Sequence, residues 1–403
     1  MTNSGSVTSS VFTLVSSAFG GGLLTLPFAM SESGWLLGLG VLSLSAVMSY
    51  FSILLLMESG QKSQKYTYAS LLGQAIGAKA ALTLDLIMVL YGFGALIAYF
   101  VFLADFIPPL ASVLSTGNLH TNRTCSIVAS LCVSLPLTFP QKLSALKYVS
   151  PISTVSLLVT ALVVIFRSPQ NHDNLTDQSF DAVRLTPQLL RCFTISLFAF
   201  VCHLNVVPVA GELLEPTPPR MEKVAGRVSA LLFVFYGLIG ILGYYSFGNR
   251  ISQNFMNDYP ADDTLAIICR LLLTSTLLLS LPITASPTSH AIVHYSLAIK
   301  LAAASDTSGT EPLRNLRIGA AGIVLGAAAV VANFTPGVAE VLSILGGSFG
   351  TLLMLVFPAI IAKKVLRQDM TPTRLAGIAV MVLGSLVSFT SVIFTNLQAL
   401  GIF

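Results

Sequence analysis

With 54% of its 403 residues hydrophobic and only 9% charged, this chain lacks the quarter share of charged residues, roughly, that a water-soluble fold carries. It is a polytopic membrane protein. The net charge of +4 does not point to nucleic acid. Five cysteines (Cys125, Cys132, Cys192, Cys202, Cys269) show no CxxC or Cys/His spacing for a metal and read as small apolar residues.

A bilayer-spanning helix needs about 20 mainly apolar residues. Eleven segments qualify, near 7–30, 35–57, 80–107, 124–140, 146–166, 189–213, 224–246, 264–297, 315–333, 338–362 and 375–397. The expected fold class is therefore all-α, with about 11 transmembrane helices and no soluble domain. The N-terminus lacks a basic n-region, so no cleavable signal peptide is expected.

The first segment is interrupted by Gly20-Gly21-Gly22. Backbone polar groups in a bilayer need partners, so a helix breaks there only where the freed groups face protein, water or a ligand. Glycine leaves helical geometry at little steric cost. Unwinding would expose N–H groups at the start of a second half-helix, Leu23 to Met30, a ready carboxylate site. The alternative is that small residues let two helices pack closely. Between the second and third segments, residues 66–77 read as a short helix lying at the interface. Asp85, near Lys79, reads as interfacial, with pairing to a proton or a cationic substrate as the other option.

The sixth segment carries a second interruption, Cys202-His203-Leu204-Asn205 ahead of Pro208. An imidazole and an amide at mid-depth are costly and face a cavity as a rule. Pro208 removes a donor and disturbs the carbonyl near Leu204, and freed carbonyls would accept from an ammonium. His203 reads either as a proton carrier or as a neutral hydrogen-bonding strut. Paired breaks in two halves of a chain point to a transporter's binding site. A carboxylate site on one and an ammonium site on the other describe a receptor for an amino acid zwitterion.

Basic residues set the orientation. With a cytoplasmic N-terminus, 15 Lys and Arg fall in inside loops and 6 on the other side, in line with the positive-inside rule. The C-terminus then faces outside or into a lumen. Two sequons, at Asn122 and Asn174, fall on that same side; Asn174, in the polar stretch 167–187, is the better glycosylation candidate. No Ser/His/Asp set, HExxH motif or pair of catalytic carboxylates occurs at usable depth, so no enzyme is expected. His290 and His294 have no acidic partner nearby in sequence.

These residues support a resemblance. Ser10-Val11-Phe12-Thr13-Leu14 followed by Gly20-Gly21-Gly22-Leu23-Leu24-Thr25-Leu26-Pro27 resembles the first helix of the amino acid/auxin permease family, within the amino acid-polyamine-organocation superfamily. Phe200-Val201-Cys202-His203-Leu204-Asn205, with Pro208 and Glu212-Leu213, is similar to the sixth helix of its sodium-coupled neutral amino acid transporter branch. Thr217-Pro218-Pro219-Arg220-Met221, Arg270-Leu271 through Pro287, and Gly346-Gly347-Ser348-Phe349-Gly350-Thr351 with Phe357-Pro358 resemble later parts of that branch.

The resemblance implies one transmembrane domain over 1–403, a LeuT-like inverted repeat of five plus five helices (7–166 and 189–362) with broken helices 1 and 6, and an extra helix at 375–397. It implies secondary active transport of amino acids, neutral ones favoured, by alternating access. The implied substrate site comprises Ser17, Gly20, Gly21, Gly22, Tyr91, Phe198, Cys202, His203 and Asn205. In the branch, an asparagine and a threonine help hold sodium; the matching positions here are Ser16 and Ser280. A hard cation wants several oxygen ligands, so the coupling ion is a proton, with His203 as its candidate carrier, or a sodium ion near Ser16 and Ser280. No cofactor is expected beyond that co-transported ion. The expected partners are an amino acid and the lipid bilayer, with no nucleic acid, and the chain is expected to be a monomer. The plasma membrane and a vacuolar or lysosomal membrane both fit. Alternatives are an organellar exporter or facilitator, and an amino-acid-sensing transceptor with little net flux.

Overall fold

The computed structural model describes residues 5–115, 121–138, 149–173, 179–301 and 310–399. Every regular element among them is helical; the one strand-like pairing is an isolated bridge between Gly5 and Leu213. All eleven expected segments are helical over their described residues, apart from the breaks in the first and sixth. Eight helices among the described residues are individually long and apolar enough to cross a bilayer, and the bent pair Val7–Ala18 and Gly22–Ser33 makes a ninth. Arg123–Thr138 and Ile318–Phe334 are shorter apolar helices.

In chain order the helices are α1 (Val7–Ala18), α2 (Gly22–Ser33), α3 (Trp35–Ser63), α4 (Tyr68–Ile76), α5 (Ala78–Leu114), α6 (Arg123–Ser134), α7 (Val149–Asp173), α8 (Leu189–Ala199), α9 (His203–Glu212), α10 (Pro218–Phe247), α11 (Thr264–Leu301), α12 (Thr310–Phe334), α13 (Val338–Leu345), α14 (Phe357–Val365) and α15 (Pro372–Ala399). Local chemistry sets their ends. Ser6 caps α1 by accepting from Ser9 N at 3.1 Å, and Asn122 caps α6 by accepting from Cys125 N at 2.8 Å. Gly34, at φ 80, joins α2 to α3 in a conformation open to few other residues. Helix α4 is the short helix expected at 66–77.

Several limits differ from the sequence reading: α3 runs to Ser63 rather than 57, α5 to Leu114 rather than 107, and α12 starts at Thr310 rather than 315. Helix α7 runs to Asp173 rather than 166, its polar end stiffened by Arg167 donating to Gln170 Oε1 at 2.9 Å. Helix α10 starts at Pro218 rather than 224 because prolines occupy its first positions, where a missing N–H costs nothing. Asn174 lies outside the described residues.

The chain forms two compact units. One comprises Met1–Leu84, Ala161–Phe255 and Leu342–Phe403; the other comprises Asp85–Thr160 and Met256–Val341. In the first, α3 packs along α10, and α9, α14, α8 and α15 also pack on it; α2 lies against α8 and α10. Its segment between α13 and α14 is π-helical, Gly346–Gly350 and Leu352–Val356. Glycine is demanded there: a Cβ on Gly346 would lie 2.0 Å from Thr194 O. In the second unit α11 packs on α12 and α6. Arg270, only 2% exposed, donates to the carbonyls of Met256, Tyr259 and Pro260 at 2.9, 2.7 and 3.1 Å, tying the connection before α11 to that helix.

Candidate functional site

Both expected interruptions lie in the first unit. Between α1 and α2 the axis turns by 67° across Phe19–Gly21. The bonds that resume the helix are Leu23 N to Gly20 O at 3.2 Å and Leu24 N to Gly21 O at 3.1 Å. The N–H groups of Gly20, Gly21 and Gly22 find no backbone acceptor, as befits the first donors of a helix. None of the three glycines has a positive φ, so a left-handed conformation is not what requires them. Close approach is. A Cβ on Gly22 would meet Ala199 Cα and Cβ at 3.2 Å and Phe198 Cδ1 at 3.3 Å. The triplet therefore provides both the break and the tight helix contact.

The second interruption, Phe200–Cys202, begins upstream of the polar run singled out in the sequence. His203–Glu212 is helical, and Pro208 sits inside that helix. Short-range bonds, Phe200 N to Leu197 O and Val201 N to Phe198 O (each 3.1 Å) and Asn205 N to Cys202 O (3.0 Å), carry the chain across. They keep Leu189–Glu212 a single span, without the sharp turn of the first break. The carbonyls of Phe200 and Val201 accept no backbone N–H.

One side chain joins the breaks. The Tyr236 hydroxyl on α10 lies 2.9 Å from Ala18 O and 3.0 Å from Ala199 O, the carbonyls that end α1 and α8. Tyr236 is fully buried, with Phe200 edge-on to its ring at 5.6 Å between centroids and Phe19 at 6.1 Å. A second tie joins the far ends of α2 and α8. Glu32 accepts from Arg191 Nε at 3.0 Å and from Arg191 Nη2, and the guanidinium lies over the Phe28 ring at 5.3 Å. The stretch 179–188 reinforces that end: Trp35 N donates to Asp181 O at 3.0 Å and Arg184 N to Ser33 O at 2.8 Å. At the opposite end, Gly5 pairs with α9 and its exit (Gly5 N to Glu212 O 2.9 Å, Leu214 N to Gly5 O 2.8 Å).

The remaining expected residues divide as follows. Cys202 and His203 are buried and Phe198 half-buried, beside the break. Asn205 is exposed. Ser17 is exposed and donates to Leu14 O at 2.9 Å. Ser16 is half-buried on α1. Tyr91 (α5) and Ser280 (α11) belong to the second unit, where Ser280 Oγ donates to Thr276 O at 2.8 Å. Tyr236, Glu32 and Arg191 were not read from the sequence as site residues, and neither was Thr25, whose fully buried hydroxyl in the first turns of α2 has no hydrogen-bond partner. An acid closing segment 1 on the same side as an arginine opening segment 6 was the available signal for the ion pair. Nothing local marks Tyr236.

The family described as transmembrane amino acid transporter protein matches residues 3–397. The chain belongs to that family. It is a multi-pass integral membrane protein. A Toxoplasma gondii protein named as an amino acid transporter (AAT1) is 37% identical over 287 residues, 70% of this chain and 40% of the relative. A Rattus norvegicus protein named as a sodium-coupled neutral amino acid transporter (number 11) is 29% identical over 333 residues, 79% of this chain and 73% of the relative. The chain spans under half the length of the apicomplexan relatives it matches. Among solved structures, the inward-facing conformation of Mhp1 aligns over 100% of this chain and 92% of its own, at TM-score 0.61 and 12% identity. A Na+-coupled sialic acid symporter aligns over 95% and 87% at TM-score 0.53 and 10% identity. The fold is the LeuT-like one these transporters share, with the first and sixth segments broken.

Proposed function

We propose that the chain carries α-amino acids, neutral ones in preference, across a membrane by alternating access. The observation that carries this reading is the meeting of the two breaks. Unbonded N–H groups at Gly20 to Gly22 open α2, and Gly22 abuts the end of α8, past which the Phe200 and Val201 carbonyls lack helical partners. A carboxylate fits the first set, favoured by the positive end of α2. An ammonium fits the second. The buried acids of this unit, Glu32 and Glu58, are held by Arg191 and Arg374, which disfavours a cationic side chain as substrate.

Transport is coupled to a proton or a sodium ion. Ser16 and Ser280 each offer a single hydroxyl oxygen where a hard cation wants several oxygen ligands, which favours the proton. The face bearing Lys62, Lys65, Lys363 and Lys364 is cytoplasmic in this reading, in a plasma or vacuolar-type membrane. Uptake of labelled amino acids into proteoliposomes, with sodium and pH gradients imposed separately, tests it. Saturable uptake driven by one gradient is expected; saturable flux under neither removes the proposal. Gly21→Val should abolish amino acid binding without preventing membrane insertion, and retained transport in that variant removes the carboxylate site.

A further inference from the structure

Polar groups without partners gather on one side of the first unit. His203 is fully buried and neither ring nitrogen has a hydrogen-bond partner. On α3, Ser49, Ser52 and Ser59 are 0% exposed and their hydroxyls are unpartnered, as is that of Ser63. A membrane-helix serine ordinarily donates to a carbonyl one turn back, as Ser45 does to Val41 O at 3.0 Å and Ser156 to Ile152 O at 2.8 Å. At 3.6 residues per turn, positions 49, 52, 59 and 63 fall within about 40° of Ser45, on one stripe. Close packing does not account for them. Alanine fills the same space without the cost of about 1–3 kcal/mol for each unpaired buried hydroxyl.

His203 opens α9, which packs along α3. Val207, one turn on and on the same face of α9, would lie 3.5 Å from a Cβ on Gly60, and Gln61 Nε2 donates to Ala210 O. The two contacts advance together along α3 and α9, so one turn back sets His203 level with Leu56, between Ser52 and Ser59. The elements packed on α9 are α3, α1, α4 and the π-helical turn Leu352–Val356. Their charged groups are Glu58, on the other side of α3 and held by Arg374, and Lys62, held by Asp369. Tyr68 of α4 donates its hydroxyl to Leu353 O at 2.7 Å, and α9 itself ends in Glu212.

We infer that His203 holds the co-transported proton, and that Ser59 and Ser63 with intervening water form its path to the Lys62 end of α3, Ser52 lying on the far side of the ring. This rests on the transport reading above. Each hydroxyl passes its own proton on as it takes another, and the gaps of roughly 5–6 Å along the helix need a water each. The unpaired imidazole nitrogen accepts the proton as an imidazolium and later returns it to water, leaving no net chemical change. Because His203 opens α9 immediately after the break, a substrate carboxylate bound there favours the protonated ring.

The test uses the full chain in proteoliposomes containing a pH-sensitive dye, with a labelled mixture of neutral amino acids. Ser59→Ala and Ser63→Ala, together, should slow amino-acid-driven proton entry at least tenfold while amino acid exchange at equal pH changes less than twofold. His203→Gln should end amino-acid-dependent proton entry and flatten the pH profile of uptake. Unchanged proton entry in the serine pair, accompanied by a higher melting temperature, overturns the path and marks the stripe as packing. If His203→Gln is not folded by melting, His203→Asn takes its place; persistent proton entry in either overturns the proton site. Wild-type uptake without proton movement overturns the inference but leaves the transporter reading standing, whereas absence of exchange in the wild type removes both.

Discussion

Tyr236→Phe removes one oxygen and nothing else from the link between the two breaks. Phenylalanine keeps the ring contacts with Phe200 and Phe19, so volume and apolar burial are conserved. What is lost is the hydroxyl shared by Ala18 O and Ala199 O at 2.9 and 3.0 Å. One O–H carries one proton, so the loss is one net hydrogen bond, about 1 kcal/mol, plus about 1 kcal/mol for an acceptor left dry. The sum of ~2 kcal/mol is a factor of roughly 30 in the folded ratio. Unfolding of the purified protein in detergent, followed by intrinsic fluorescence, measures it alongside amino acid uptake. The substitution should lower stability by that amount and weaken uptake, because the ends of α1 and α8 frame the candidate site. Stability within 0.5 kcal/mol of wild type (roughly the error of such measurements) would falsify the view that this hydroxyl ties the breaks. A loss as large as that of Tyr236→Ala would show instead that ring packing carries the effect.

Three further outcomes are expected. Arg191→Met takes the guanidinium away from Glu32 in a nearly closed site (the Glu32 side chain is 9% exposed, that of Arg191 19%) and should cost about 2–4 kcal/mol; Glu32→Gln combined with Arg191→Met should recover much of it, and equal losses in single and double variants by denaturant titration would refute the pairing argument. Gly346→Ala, aimed at Thr194 O, should sharply reduce folded yield on size-exclusion chromatography, whereas Gly326→Ala, with nothing within 4 Å of the new Cβ, should match or slightly exceed wild type. The Lys62 ammonium, bonded at 2.6 Å, holds the Asp369 carboxyl below its ordinary value. A lowered folded-state value stabilises above the unfolded one and fades as pH falls through the folded one, so melting temperatures of wild type and Asp369→Asn should converge in acid; a gap that persists or widens there contradicts the assignment.

Much of this protein is written locally. Apolar runs of about 20 residues, the Gly20–Gly22 triplet and the polar run after Phe200 are properties of neighbouring residues, and the bilayer acts on them one segment at a time. The class, the eleven segments and the presence of two breaks could therefore be read in advance. So could α4, whose cap Thr67 is adjacent in sequence. Limits such as the end of α7 were harder, because a polar helix end costs little in water and hydropathy does not mark it.

What joins the breaks was not legible. Tyr236 bonds to residues 218 and 37 positions away, and Arg191 finds Glu32 across 159. In sequence one is a tyrosine in an apolar run and the other an arginine at the start of a span. The same holds for His203, whose residue type suggested either a strut or a carrier. The fold buries it with no hydrogen-bond partner on either nitrogen among the described residues, the observation on which the proton-site proposal rests. Hydropathy and glycine content act between adjacent residues, so the sequence alone determined where this chain spans and where it breaks. Hydrogen bonds and ion pairs depend on ångström distances between remote segments, so only the tertiary structure decided what holds the breaks together and which buried groups are left to bind.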